Sequence, residues 1–368
     1  MQTYLQWRQP PWRYGVAATF FIFIFVTLIS YRSSRSIPQF GSSGRLSTTA
    51  LIDDVFNTTL GFQKILAVSL PDRTDRRDGL ILAAAVSNIT FDFIDGVDGN
   101  DIAAAALPSG VQGNLSPSTV GSWRAHINAL ANVVKNNYTS ALIVEDDVDW
   151  DVRLKSLLKE FAVSNNVLEK HTGTFEFPDL PATLPPQHSP YGNDWDLLWL
   201  GHCGMNIPGD NIVIRQNDPT VPEKQYLHSW DMEEPTPLGI FPHHTRVVMA
   251  QVGEPVCSLG YAISQKGARS ILYNLGLRAL DAPFDVSLRY WCQGNKGNEQ
   301  HNCPGVIPQL FDHYRRKGPK SRDSDINAKG SAVREKPETL NIRWSVRLNM
   351  VKLLRGDTSY DEQYPDTQ

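Results

Sequence analysis

The sequence contains no C-x-x-C pair, no Walker A phosphate loop, no H-E-x-x-H and no G-x-S-x-G pattern. These absences remove clustered zinc sites, P-loop nucleotide hydrolysis, zinc-peptidase chemistry and the serine-hydrolase elbow. Positive charge is not in excess either. Lys and Arg number 35 against 39 Asp and Glu, and a net charge of -4 leaves no broad basic face for DNA or RNA. The turn "DGVDG" lacks the third glycine of G-x-G-x-x-G, which disfavours a dinucleotide-dependent dehydrogenase. No acidic run has EF-hand spacing, and no internal repeat is present.

One long apolar run does occur. Between Arg13 and Arg32, "YGVAATFFIFIFVTLISY" carries no charge and is near the lower length limit for crossing a bilayer core. No small-x-small cleavage site follows it, so an uncleaved signal anchor is expected rather than a removed leader. Arginines flank both ends and do not set the orientation. Four sequons follow, at Asn57, Asn88, Asn114 and Asn137, and favour a lumenal body. In that compartment the four cysteines are expected to pair. Of the three possible connectivities, Cys203 with Cys257 and Cys292 with Cys303 is the expectation. A zinc site from Cys292, His301 and Cys303 is the rival use of those sulfurs.

The chain reads as a cytoplasmic tail at 1–13, a transmembrane anchor at 14–31 and a Ser/Gly/Arg-rich stem at 32–61. A folded domain at 62–327 and a weakly structured polar tail at 328–368 complete it. Within the domain, "KILAVSL", "TDRRDGLILAAAV" and "TFDFI" form a strand, helix and strand, which implies a parallel sheet. In the next unit Ser122 is a candidate helix cap before Trp123, Ile127, Leu130 and Val134, and strand "ALIV" ends in Glu145, Asp146 and Asp147. Later strands are expected in "DWDLLWLG", "RVVMAQVG" and "PVCSLGYAIS", with helices in "QKGARSILYNL" and "DVSLRYWC". Three adjacent carboxylates repel one another unless solvent, a basic partner or a cation offsets them. At the C-terminal end of a strand, where open α/β sheets bind ligands, they suit a hard divalent cation that also takes phosphate oxygens. A solvated acidic turn is the plainer alternative.

The order of "KILAVSLPDRTDRR", "FDFIDGVDG", "VGSWRAHINAL", "ALIVEDDVDWD", "VCSLGYAISQKGARSIL", "APFDVSL" and "PQLFDHYRRKGPKSRDSDI" resembles glycosyltransferase family 25, particularly its fungal membrane-anchored members. The resemblance runs from Lys64 to Ile326. It implies a GT-A fold, an α/β Rossmann-like, mostly parallel sheet flanked by helices. It also implies inverting, metal-dependent transfer of a hexose, galactose at the family level, from a nucleotide sugar such as a UDP-sugar to a glycan or glycoprotein. Transfer would take place on the lumenal side of the Golgi or ER membrane.

On that resemblance Asp147 is the ligand of a divalent cation, Mn²⁺, and Glu145 and Asp146 contact the metal's waters or the ribose. Asp285 is the acceptor's base, with Asp281 as substitute. Arg73, Arg76 and Arg77 lie near the donor's base and phosphates, Asp95 and Asp98 near the ribose, and His126 matches the family's histidine on the polar side of its helix. His313, Arg315, Arg316 and Lys317 belong to a basic loop able to close over the diphosphate. Trp199, His202 and Trp230 are candidates for an acceptor surface. Ala125 and Ser122 stand where the bacterial members carry Ser and Cys. A membrane-anchored protein that binds nucleotide sugars without turnover is the alternative.

Overall fold

In a computed structural model the chain divides into two compact units, 1–46 and Ser47–Gln368. The structure describes residues 51–108, 110–111, 115–227, 237–326 and 331–367. The first unit, the expected anchor, most of the stem, Asn114 and Trp230 lie outside them. No helix among the described residues is long and apolar enough to cross a membrane.

The second unit is a mixed α/β layer structure built on one large sheet. Its strands are β1 (Lys64–Ser69), β2 (Asp92–Asp95), β3 (Ser140–Glu145), β4 (Val148–Trp150), β5 (Thr174–Glu176) and β6 (Leu197–Gly201). They continue as β7 (Ile212–Arg215), β8 (Arg246–Met249), β9 (Gly260–Ser264), β10 (Gly305–Ile307), β11 (Phe311–Arg315) and β12 (Glu338–Thr339). The main path runs β2-β1-β3-β9-β6-β10-β8-β7-β5, and β11 branches from β6 to β4 and β12.

The pairings set eight of these twelve described strands in one direction and reverse β4, β8, β9 and β12. The β2-β1-β3 edge is parallel throughout, as expected from its strand-helix-strand sequence. Interleaving of the reversed strands was not legible, because a short apolar run carries no sign of its direction.

Along β3, Leu142 and Val144 enter the core on one face of the sheet, while Ala141 and Ile143 enter the core on the other. Burial on both faces makes the strand uniformly apolar, each fully buried aliphatic contributing roughly 1.5–3 kcal/mol. The apolar run stops at Glu145, where the strand emerges.

Among the described residues six α-helices accompany the sheet: α1 (Thr74–Val86), α2 (Pro117–Lys135), α3 (Leu154–Leu168), α4 (Gln265–Ile271), α5 (Phe284–Gln293) and α6 (Met350–Arg355). Helix α2 starts five residues before the expected cap. Ser116, not Ser122, caps it by accepting from the Thr119 amide, and Pro117 occupies the first turn, where its missing N–H costs nothing.

The folded body extends past both expected limits. Val55 and Leu60 are buried in the core, so the domain begins within the expected stem. At the other end, Ile342, Ser345, Val346 and Asn349 are buried, and Ser345 bridges to Asp151 in antiparallel pairing. The polar segment 331–367 is therefore an integral layer, its polarity satisfied by hydrogen bonds rather than by solvent.

Both expected disulfides form, Cys203–Cys257 and Cys292–Cys303, which excludes the zinc alternative. Asn57, Asn88 and Asn137 are all exposed, as glycan acceptors must be. Trp199 and His202 are fully buried, so the expected acceptor surface is not built from them.

Candidate active site

A cavity of about 750 Å³ opens at the C-terminal ends of β1, β2 and β3. Glu145, Asp146 and Asp147 line it, with Arg76, Asp98 and His126 from the sequence-predicted set and His313 and Arg315, which stand on strand β11 where a basic loop was expected. Arg73, Asp95 and Asp285 are not among the lining residues. Arg73 pairs with Asp75 and Asp325, and Asp95 with Arg77.

The cavity exists because backbones meet closely there. A Cβ on Gly99 would lie 1.7 Å from the Pro117 carbonyl, and one on Gly121 would lie 2.4 Å from that of Val97. Only glycine lets the "DGVDG" turn sit directly on the first turns of α2. That contact fixes Asp98, whose carboxylate caps its own turn by accepting from the Asn100 amide at 2.9 Å.

The three carboxylates are held differently. Asp146 accepts from Ser69 Oγ at 2.7 Å and from Arg76 Nη1 at 2.8 Å. Burial, then the neighbouring Asp147 charge, still raises its carboxyl above the ordinary range. Asp147 Oδ2 accepts from Arg315 Nη1 at 2.9 Å, whereas its Oδ1 is buried with no hydrogen-bond partner. Burial opposes ionisation of Asp147, but His313 and the guanidiniums of Arg76, Arg315 and Arg347 together hold it well below the usual carboxylate range. Burial pushes His313 itself down to about 4. Its ring is therefore neutral near pH 7, leaving the three arginines to keep Asp147 charged.

Glu145 accepts from Ser258 Oγ at 2.9 Å and lies 3.7 Å from His126 Nε2. Burial works against its charge, but the His126 ring lowers its carboxyl overall. His126, expected on the polar side of its helix, is buried, with Nδ1 3.1 Å from the Tyr261 hydroxyl. It lines the cavity together with Ser118, Ser122 and Ala125 of α2.

Asp285 has another partner. Its Oδ2 accepts from the Cys257 amide at 2.8 Å, and Cys257 stands at φ 66°, a left-handed conformation costly for a non-glycine residue. The disulfide, Asp285 and a 3.1 Å bond from Trp199 Nε1 to the Cys257 carbonyl hold this turn. The turn breaks the expected single strand "PVCSLGYAIS" in two and presents Ser258 to Glu145.

Sequence reasoning missed Ser69, Ser258 and Arg347. Arg347 reaches from the C-terminal segment, donating from Nη2 to the Asp146 carbonyl at 2.9 Å behind the carboxylates. Nothing in "NIRWSVRLN" marks it as a site neighbour.

A buried, unpartnered carboxylate oxygen beside a solvent-open cavity fits a hard cation that completes its shell with water and phosphate oxygens. The three strand-end carboxylates do not converge as a ready-made ligand set. Among the described residues, the only three ligand-type side chains within 4.8 Å of one another are Glu223, His244 and Asp366, which do not line the cavity. A cation on Asp147 would thus depend on the substrate for part of its shell.

Fold and site define an α/β protein with an acidic, arginine-flanked cavity at a strand end. Residues 62–180, the segment that builds the carboxylate edge, match the family model of glycosyltransferase family 25 (LPS biosynthesis protein). The chain is 24% identical over 241 residues to the probable inactive glycosyltransferase 25 family member 3 of Bos taurus, covering 62% of this chain and 31% of that protein. It is 21% identical over 229 residues to procollagen galactosyltransferase 1 of Danio rerio, covering 58% and 29%. The chain spans under a third of the length of these curated relatives.

Proposed function

We propose that this protein is a glycosyltransferase that moves a hexose, galactose by analogy with the named zebrafish relative, from a UDP-type nucleotide sugar to a glycan or glycoprotein. The observation that carries the reading is the unpartnered Oδ1 of Asp147 in a cavity whose polar walls include Asp98, Arg76 and Arg315. The exposed sequon asparagines and two disulfides support placing the enzyme in the secretory pathway, anchored by its N-terminal apolar run.

In this reading the fold is of GT-A type. Asp147 Oδ1 would hold Mn²⁺, with the neutral His313 ring on the same cavity wall. When bound, the ion neutralises the diphosphate leaving group. Arg76 and Arg315 meet the phosphates, and Asp98 accepts the ribose hydroxyls. Inversion requires a carboxylate to take the acceptor's proton as its oxygen attacks. Glu145, which lines the cavity, takes the role that the sequence gave to Asp285, because Asp285 is committed to Cys257.

The test is transfer and hydrolysis with a panel of nucleotide sugars, with Mn²⁺ and with chelator. Turnover of one donor that chelator abolishes, and that Asp147→Asn lowers by 100-fold or more, is expected on the order of a lost metal ligand. Full activity of Asp147→Asn with metal present would end the metal assignment.

A second reading has its own support. Asp146 and Asp147 are both engaged by guanidiniums, and the bovine relative is named probable inactive. A nucleotide-sugar-binding protein without turnover would bind UDP in the presence of metal yet consume no donor.

A further inference from the structure

The segment after β11 crosses the cavity mouth. A short turn at Lys320–Arg322 leads to Asp323, Ser324 and Asp325, and Ser324, Asp325 and Ile326 line the cavity. Asp325 Oδ1 accepts from Arg73 Nη1 at 2.6 Å, and its Oδ2 lies 3.5 Å from Arg76 Nη1. These two arginine side chains are only 15% and 14% exposed, while the Asp325 carboxylate is 43% exposed. A solvent-facing acid thus neutralises two largely sequestered cations at the rim of a cavity floored by three further acids.

The rest of the segment is held separately. Asp323 receives both guanidinium arms of Arg334 at 3.0 Å, and its carbonyl accepts from Arg76 Nη2 at 2.8 Å and Arg315 Nη1 at 2.6 Å. Gly318, at φ +127°, supplies a turn that other residues adopt with strain. Asp323 is therefore a fixed point, and Asp325 beyond it is tied by half-exposed ion pairs, the weak kind.

We propose that Asp325 is a resident counter-anion standing in for the donor's diphosphate, so that donor entry exchanges this carboxylate for phosphate oxygens on Arg73 and Arg76. This deepens the donor reading above and rests on it. It gives Arg73 a role although it does not line the cavity, because its partner Asp325 does. Arg73 keeps Asp75 and Arg76 keeps Asp146 during the exchange, so only the Asp325 half of each arginine's pairing is traded for phosphate. It also sets a threshold, because a nucleoside monophosphate offers less charge with which to displace the carboxylate.

The test is calorimetric titration of the full chain with UDP, UMP and inorganic pyrophosphate in Mn²⁺. Wild type is compared with Asp325→Asn and with Asp361→Asn, which removes the same charge at a 74%-exposed side chain paired only with Lys352. Asp325→Asn should lower the Kd for UDP and pyrophosphate by roughly threefold to fivefold, the scale of one half-exposed ion pair no longer broken, and narrow the UDP-to-UMP preference. Asp361→Asn should leave both unchanged.

In wild type, UDP should also change amide hydrogen exchange across 318–326. Weaker or unchanged binding by Asp325→Asn, an equal gain from Asp361→Asn, or unaltered exchange in 318–326 would overturn the counter-anion role while leaving the donor reading intact. No binding of any probe by any of the three proteins would instead overturn the donor reading and the exchange with it.

Discussion

The imidazole of His126 lies flat against the ring of Phe284, with centroids 4.4 Å apart and planes 3° from parallel. The stack joins α2 to α5 and sets the histidine's edge toward Tyr261 and Glu145.

Replacing that histidine separates packing from polarity. His126→Phe keeps an aromatic face for Phe284 but leaves the buried Tyr261 hydroxyl without its nitrogen partner, a loss of about 1–3 kcal/mol. Thermal denaturation should show this modest destabilisation, and UDP titration a weaker complex because Glu145 loses its neighbour. Unchanged UDP affinity would mean that the histidine serves packing alone.

The carboxylates at 145 and 285 should part company in kinetics. Glu145→Gln is expected to lower kcat by roughly 100-fold to 10,000-fold, the usual range for a lost general base. Asp285→Asn should retain most turnover but lower Tm, since it weakens the bond restraining the left-handed Cys257. The reverse pattern would return the base to Asp285.

Acid should weaken the fold before the carboxylates titrate. Burial pushes His202, like His313, down to about 4, with a single bond from Nε2 to the Val306 carbonyl. The unfolded chain protonates these rings below about pH 6.5 while the folded one holds them neutral, so stability falls as pH drops from about 6.5 toward 4. Urea midpoints measured across that window should decline, and His202→Gln should flatten part of the decline. A flat wild-type profile would refute the buried neutral state.

The two disulfides should differ in what their loss does to the site. Cys257 precedes Ser258, which holds Glu145, and Cys203 Sγ lies 4.0 Å from His313 Nδ1. Cys203→Ala with Cys257→Ala should therefore weaken UDP binding more than Cys292→Ala with Cys303→Ala, which lies between α5 and β10. Equal effects would assign both bridges to global stability.

Much of this was legible in the sequence where chemistry and periodicity coincide. The parallel β2-β1-β3 edge follows from an apolar run, a helix and a second run, and the acidic end of β3 is conspicuous because apolar residues precede it. His313 and Arg315 line the cavity, but from strand β11 rather than from the expected loop. What could not be read depends on contacts between distant segments. The partners of His126, Tyr261 and Phe284, come from over a hundred residues away. The bond from the Cys257 amide to Asp285 was likewise hidden, because the left-handed turn at Cys257 is a property of backbone geometry. The segment 331–367 looked loose because its buried groups are polar, and only the fold shows that they are hydrogen-bonded.

Asp149 has its side chain fully buried beneath the cavity floor, where it is bonded by the Ser345 hydroxyl and accepts from the Arg347 amide at 3.2 Å. These partners lie 196 and 198 residues further along the chain. At about 5–20 residues per second, a ribosome takes on the order of 10–40 s to deliver them. During synthesis, then, Asp149 has only the adjacent Trp150 amide to bond it while Asn57, Asn88 and Asn137 have already emerged. In the secretory location proposed above, sugar attachment at these asparagines would precede completion of the cavity, and a chain stalled before residue 345 would carry glycans around an unfinished floor.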